Sequence, residues 1–455
     1  MMSGMPASLK DALTDKVRES TIAPSGAATP RHVYGTVSLP GKVTAVIGMR
    51  RAGKTTFVHQ LRQERMELGA TREQLPYVNF EDERLAGLEA SQLGFLIEEH
   101  ARRFPDAHER ATVTWCFDEI QVVPGWERFV RRLLDGGGTE VIVTGSSAAL
   151  LSREIATALR GRAWEVPLYP FSFRETLRHQ GLAIPAQPDF LTGVERGRLE
   201  RSVVDWLSVG GFPEVQGLDP AVRRQLLSDY VDVAMLRDVV ERHRASNVVG
   251  LRWLVRHLLG NAAAPFSVEK FHSAVRSRGV AISRDTVHQL LAHLEDCFLV
   301  RMVWMESASE RQRMVNPRKS YPVDAGLIAV FDHSGRTNLG HALETAVLIE
   351  LERRRCSVTY VRTSAGYEVD FLARDAVGDM ELIQVCADAS DPATADRELR
   401  ALVEAGAMYP AARRRLLTLT RDGAPAEVPD GIVVQPAHEW LLGPAPGSSP
   451  GAQSG

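Results

Sequence analysis

The chain has 455 residues, 44% hydrophobic and 24% charged, with 54 Lys+Arg against 57 Asp+Glu and a formal net charge of −3. That balance excludes a polybasic nucleic-acid wrapper and an acidic disordered chain, and the length suggests roughly three domains of about 150 residues each. The first residues lack the apolar core of a secretory signal, and no run approaches the roughly 18 apolar residues of a membrane span. Cys116, Cys297, Cys356 and Cys386 are scattered without a CxxC, so a cytoplasmic chain with reduced thiols is expected.

In chain order, residues 1–30 are polar and end in APSGAATP, which predicts a flexible leader. Over 31–170, short apolar runs alternate with amphipathic stretches, the pattern of an α/β domain on a parallel sheet. Strands are expected at Val43–Ile47, Tyr77–Phe80, Val113–Phe117, Val141–Thr144 and Trp164–Leu168, with a helix over Thr55–Leu68. Trp126, Phe129, Val130, Leu133 and Leu134 form a helical stripe that the glycines at 136–138 end. Residues 171–261 read as a helical lid region interrupted by GGFPE, residues 262–320 as a smaller unit of two helices and strands, and residues 321–442 as mixed α/β. The tail, 443–455, is disordered by composition.

The sharpest signal is Gly48-Met49-Arg50-Arg51-Ala52-Gly53-Lys54-Thr55, a full GxxxxGK[ST] between an expected strand and an expected helix. The spacing suits a triphosphate. Backbone N–H groups of Gly48, Arg50, Arg51, Ala52, Gly53 and the first helical residues, through Thr56, face the phosphates at a positive helix end. Lys54 reaches the β- and γ-phosphates, and the Thr55 hydroxyl takes a place on Mg²⁺. A hydrophobic strand then ends in Asp118-Glu119, which suits a metal-holding Asp118 and a water-polarising Glu119. The next strand finishes Thr144-Gly145-Ser146, where Ser146 is preferred over Thr144 as a γ-phosphate sensor. Arg160 and Arg162 precede the fifth strand, in a place that suits an arginine supplied to a neighbouring or the same nucleotide site.

GMRRAGKTT, VNFEDERL, FDEIQ, VTGSSAALLSREIATALRGR, PLYPFSFRETL, GGFPEV and RDVVERH, in that order, resemble a large prokaryotic family of AAA-type ATPases. The resemblance covers about residues 34–400. It implies a P-loop three-layer domain binding ATP, a winged-helix unit and a C-terminal domain similar to the PD-(D/E)XK nuclease fold. Residues 245–325 carry 11 Lys+Arg against 7 Asp+Glu, so Arg276, Arg278, Arg284, Arg311, Arg313, Arg318 and Lys319 are candidate phosphate contacts for DNA. A protein partner is the alternative occupant of a winged helix, no membrane contact is expected, and the oligomeric state is left open. In the C-terminal domain the nuclease-like motif maps onto Glu344, Asp370, Gln384 and Cys386. Gln384 removes a metal ligand and Cys386 the usual lysine, so a degenerate, non-cleaving fold is expected, although Glu344 and Asp370 can still hold a divalent ion weakly. Arg362 and Arg374 are the cations nearest in sequence. The expected activity is Mg²⁺-dependent ATP hydrolysis; the alternative is a nucleotide-gated switch that hydrolyses little.

Overall fold

The computed structural model describes residues 6–22, 28–110, 112–146, 161–185, 187, 190–307, 309, 311–312, 316–332 and 338–444. The chain divides into two compact units, Met1–Leu168 and Tyr169–Gly455.

The first unit is built on five parallel strands: β1 (Val43–Ile47), β2 (Tyr77–Asn79), β3 (Val113–Asp118), β4 (Thr139–Gly145) and β5 (Ala163–Pro167), in the order β2-β3-β4-β1-β5. Every residue of β1 and β3 is buried, as the middle of a sheet covered on both faces demands, which is why these strands read as continuous apolar runs. The helix Lys54–Glu67 packs Phe57, Val58 and Leu61 against Val46, Cys116 and Ile142. Register pairs Ile47 with Gly145 and Asn79 with Asp118, so the carboxyl ends of β1, β3 and β4 lie at one edge of the sheet.

The expected flexible leader is instead a helix, α1 (Ala7–Glu19). Leu9, Ala12, Leu13, Lys16 and Val17 recur at helical spacing and are all buried, so the helix docks through a narrow stripe that the polar average of the segment hides. Its end is tied down by Arg62, whose guanidinium donates to the carbonyls of Ser20 (3.0 Å) and Leu75 (2.9 Å).

The second unit opens with the helices Phe173–His179, Gly193–Val209, Pro220–Val233 and Val248–Gly260. The GG of GGFPE is a close approach: a Cβ on Gly211 would meet the Phe171 carbonyl oxygen at 2.2 Å. Two helices follow, Val268–Arg276 and Arg284–Asp296, with a small antiparallel sheet ordered β6 (Pro265–Phe266), β8 (Arg318–Pro322), β7 (Val300–Val303). Val287, Leu290, Leu291 and Leu294 are the buried stripe of the second helix, as the periodicity predicts. The expected boundary at 320 falls inside β8.

Next come the helix Leu339–Arg353, strands β9 (Ser357–Arg362), β10 (Glu368–Arg374) and β11 (Met380–Cys386), the helix Pro392–Met408, and strands β12 (Arg413–Thr418) and β13 (Ile432–Pro436). The sheet order is β13-β12-β11-β10-β9; β9, β10 and β11 are antiparallel neighbours, and β11, β12 and β13 run parallel. Leu343, Val347 and Leu351 pack on Phe371, Ile383 and Leu417, fixing one face of the first helix on the sheet. Among the described residues no helix is long and apolar enough to cross a membrane, and all four cysteines are free thiols. The expected tail from 445 onward and Arg160 lie outside the described residues.

Candidate nucleotide site and a second polar cluster

β1 delivers the chain to Gly48, where a Cβ would lie 2.1 Å from the Leu168 carbonyl oxygen; only glycine fits against the neighbouring strand. The loop then turns through left-handed backbone at Arg51 (φ 67°) and Gly53 (φ 97°), and the helix starts at Lys54. Arg31 holds the loop from outside by donating to the Ala52 carbonyl at 2.7 Å, and Arg50 pairs with Glu81 at 3.0 Å. The Lys54 side chain is buried and donates to the Gly48 and Met49 carbonyls at 3.1 and 3.3 Å, which keeps its ammonium over the loop. Thr56 occupies the first turn behind it.

Asp118 ends β3 and is only 1% exposed. One of its oxygens accepts from the Thr55 hydroxyl at 2.8 Å and the Tyr77 hydroxyl at 2.6 Å, while the other accepts from Thr144. Thr55 and Asp118, far apart in sequence, are therefore adjacent hard-oxygen donors, a set that fits Mg²⁺. Glu119 follows at φ 53°, a left-handed step that turns the chain off the strand. Its N–H donates to Thr144 Oγ1 at 3.0 Å, its carboxylate lies 3.7 Å from Lys54 Nζ, and Gln121 donates to its other oxygen.

Tyr77 was not legible as a site residue. Burial and the adjacent Asp118 carboxylate drive its hydroxyl well above the ordinary phenol range, so it stays a donor. Behind it, His59 packs on the ring at 4.4 Å, and burial with the Arg62 charge lowers this imidazole to about 4. Thr144 bridges Asp118 and the Glu119 backbone, and Ser146 lies two residues further on, buried. One expectation shifts. Arg162 precedes β5, beside Val43 at the amino end of the sheet, and pairs with Asp135. The parallel register places it a whole strand away from its own chain's P-loop, so it does not serve that site in cis.

A second cluster forms in the other unit around Lys319 of β8. Its ammonium, with the side chain 4% exposed, lies 2.8 Å from Glu368, 2.9 Å from Asp370 and 3.1 Å from Glu344; Tyr321 donates to Glu344 at 2.7 Å. Burial and the Asp370 charge raise the Glu344 carboxyl to about 8; burial works against the Lys319 charge, but the acidic side chains around it, Asp370 first, keep it above the ordinary lysine range. Gln384 accepts from the Asp370 N–H at 3.2 Å and donates to Glu398 at 2.6 Å. Cys386 is half-buried and its thiol is pushed up to about 11 by burial. The expectation that no ammonium stands in this site is corrected: Lys319 arrives from a different sheet. It is correspondingly unavailable to DNA. Arg284 pairs with Glu269 at 2.8 Å, Arg278 lies over Trp253 and Arg318 over Trp304, and Arg313 is outside the described residues. Arg362 and Arg374 do not fill the gap left at Cys386: Arg374 pairs with Glu306 at 2.9 Å, and Arg362 is an exposed end of β9.

An AAA domain family matches residues 40–177, and a domain of unknown function (DUF8612) matches residues 200–337. An uncharacterized protein of Methanocaldococcus jannaschii is 32% identical over 372 residues, 81% of this chain and 79% of that protein. The chain belongs to one family with that protein and carries an AAA_14 domain. A second uncharacterized relative, from Haemophilus influenzae, is 29% identical over 73% of this chain and 80% of its own length. Among solved structures, a Walker-type ATPase of Pyrococcus abyssi is 18% identical with a TM-score of 0.39, covering 71% of this chain and 95% of that one. The ORC2 protein of Aeropyrum pernix is 14% identical with a TM-score of 0.34, covering 73% and 95%. The AAA_14 segment is an AAA-type P-loop ATPase fold containing Lys54, Thr55, Asp118 and Glu119; Lys319 lies within the DUF8612 match, and Glu344 and Asp370 beyond it.

Proposed function

We propose that this AAA_14 chain is a cytoplasmic Mg²⁺-dependent ATPase whose nucleotide cycle moves a winged-helix and a nuclease-like module. The observation that carries the reading is the 2.8 Å contact between Thr55 and Asp118 beside the Lys54 ammonium. Loop N–H groups and Lys54 bind the phosphates, and Gly53-to-Thr56 presents the helix start to them. Thr55 and Asp118 would hold Mg²⁺, which would supply neutralisation of the phosphate charge. Glu119, turned out of the strand, accepts a proton from the attacking water. Lys54 and Gln121 both contact the Glu119 carboxylate and orient it beside the loop. Ser146 is a candidate γ-phosphate contact and Arg162 a candidate for supply to a neighbouring copy. The small antiparallel sheet with its two helices supports the winged-helix assignment, whose occupant is DNA or a protein.

The test is paired. Lys54→Ala is expected to abolish ATP binding by calorimetry, and Glu119→Gln to retain affinity within a few-fold while slowing turnover about 100-fold or more. Wild-type turnover in Glu119→Gln moves the chain to the non-hydrolysing switch reading.

A second reading concerns the C-terminal module, and Lys319 favours it. The order helix, three strands, helix, strand supports a PD-(D/E)XK-like domain, and Lys319 supplies the cation that Cys386 lacks. Against cleavage stands the neutral Gln384, bound to Glu398, where a charged metal ligand is expected. We therefore expect no DNA cleavage with Mg²⁺ or Mn²⁺, with or without ATP. Cleavage that persists in Lys54→Ala and vanishes in Asp370→Asn and Lys319→Met establishes the nuclease reading instead.

A further inference from the structure

We propose that His243, His293 and Asp296 form a site for one transition-metal cation of the Zn²⁺ class. The inference does not depend on the ATPase reading, because none of the three belongs to the P-loop unit.

The site is made by two helices. His293 and Asp296 stand three residues apart on the helix Arg284–Asp296, hence on one face. His243 is presented at the end of the helical run that continues from the π-helical stretch Ala234–Glu241, just before the chain leaves it through the left-handed Arg244 (φ 52°). The two imidazoles lie 3.7 Å apart between centroids, with planes 14° from parallel. One ligand atom from each of the three residues lies within 4.8 Å of the others, and all three side chains are half-buried, so an ion has a path from solvent.

The donor chemistry selects the cation. Two imidazole nitrogens and one carboxylate suit Zn²⁺, Co²⁺ or Ni²⁺ and are poor for Mg²⁺, which prefers all-oxygen octahedra. Three protein ligands leave the fourth tetrahedral position to solvent, as in an open zinc site. Arg242, next to His243 in sequence, lies 3.5 Å from the buried Asp238, whose carboxylate faces its cation. Cys297, next to Asp296, is turned away from the site: its thiol donates to the Leu294 carbonyl at 3.4 Å. An ion here staples the helix bearing His243 to the second helix of the small antiparallel unit.

The test uses the full, nucleotide-free chain after chelation and dialysis. Co²⁺ is expected to bind at one ion per chain with the visible d–d bands of a nitrogen–oxygen site, to be displaced by Zn²⁺, and to be unaffected by excess Mg²⁺. His243→Ala and His293→Ala are each expected to weaken Zn²⁺ by at least about 100-fold, and Asp296→Asn by about 10-fold. His293→Gln, which keeps the side-chain bulk, separates loss of a ligand from loss of the fold, with thermal melting checked in metal-free buffer. Zn²⁺ should also raise the melting temperature of wild type but not of the double variant His243→Ala/His293→Ala. Absence of stoichiometric binding in wild type overturns the proposal. Equal affinity in wild type and double variant does so as well, since the ion then resides elsewhere, for example at the His100–His108 pair, whose nitrogens are 3.0 Å apart.

Discussion

At the scale of single residues, Asp118, which we propose as a Mg²⁺ ligand, shows how neighbouring groups aim a carboxylate. Three hydroxyls, from Thr55, Tyr77 and Thr144, leave its side chain little freedom to rotate. Tyr77→Phe removes one of them while keeping the ring against His59. The expected result is a rise of about 10-fold in the Mg²⁺ concentration for half-maximal ATP hydrolysis, with nucleotide affinity measured in the presence of saturating Mg²⁺ unchanged. A Mg²⁺ titration identical to wild type removes Tyr77 from the positioning role. The P-loop residues were legible because their backbone needs are written in residue type: Gly48 and Gly53 stand where a Cβ clashes or the backbone is left-handed. Tyr77 and Lys319 were not legible. Each becomes a site residue through contacts with residues more than 20 positions away, which no local spacing encodes.

At the scale of elements, the five strands and the helix after the P-loop lie within a residue or two of their expected limits, because long buried runs and amphipathic stripes are strong signals. The leader helix α1 was missed for the opposite reason. Its stripe is two turns of small and medium side chains with a lysine among them, diluted by polar neighbours. Leu13 has no exposed surface, so Leu13→Ala is expected to cost about 2–5 kcal/mol of stability, read as a lower denaturant midpoint of the P-loop unit. A change under about 0.5 kcal/mol would show that the helix is not docked in solution. Thr144 against Ser146 is a question of strand geometry. Thr144 lies within β4, beside the end of β3 that carries Asp118, whereas Ser146 follows the strand's last residue, Gly145, so strand extent rather than sequence position sets which hydroxyl meets Asp118.

At the scale of the whole molecule, buried imidazoles set an acid limit. His59, His100 and His438 are each lowered to about 4, first by burial and then by neighbouring positive groups. A base whose folded value lies below its unfolded value near 6.5 makes the unfolded state bind more protons between those limits, so stability rises with pH there and is lost on acidification. Each shift corresponds to roughly 1–3 kcal/mol once partial burial is discounted. The urea midpoint is therefore expected to fall as pH is lowered from about 6.5 to about 4, and a flat profile across that window contradicts the assignment.

Lys319 also bears on how this chain can be taken apart. Its backbone belongs to the three-stranded sheet with Val300–Val303, whereas its charge is spent on Glu344, Glu368 and Asp370 of the next fold. A cut after residue 320 separates Lys319 from Glu344, Glu368 and Asp370, leaving the C-terminal fragment with crowded acidic side chains and no counter-cation, and the fragment before it with an ammonium that has nothing to face. A truncation placed there therefore calls for replacing the charge of this lysine or neutralising its partners.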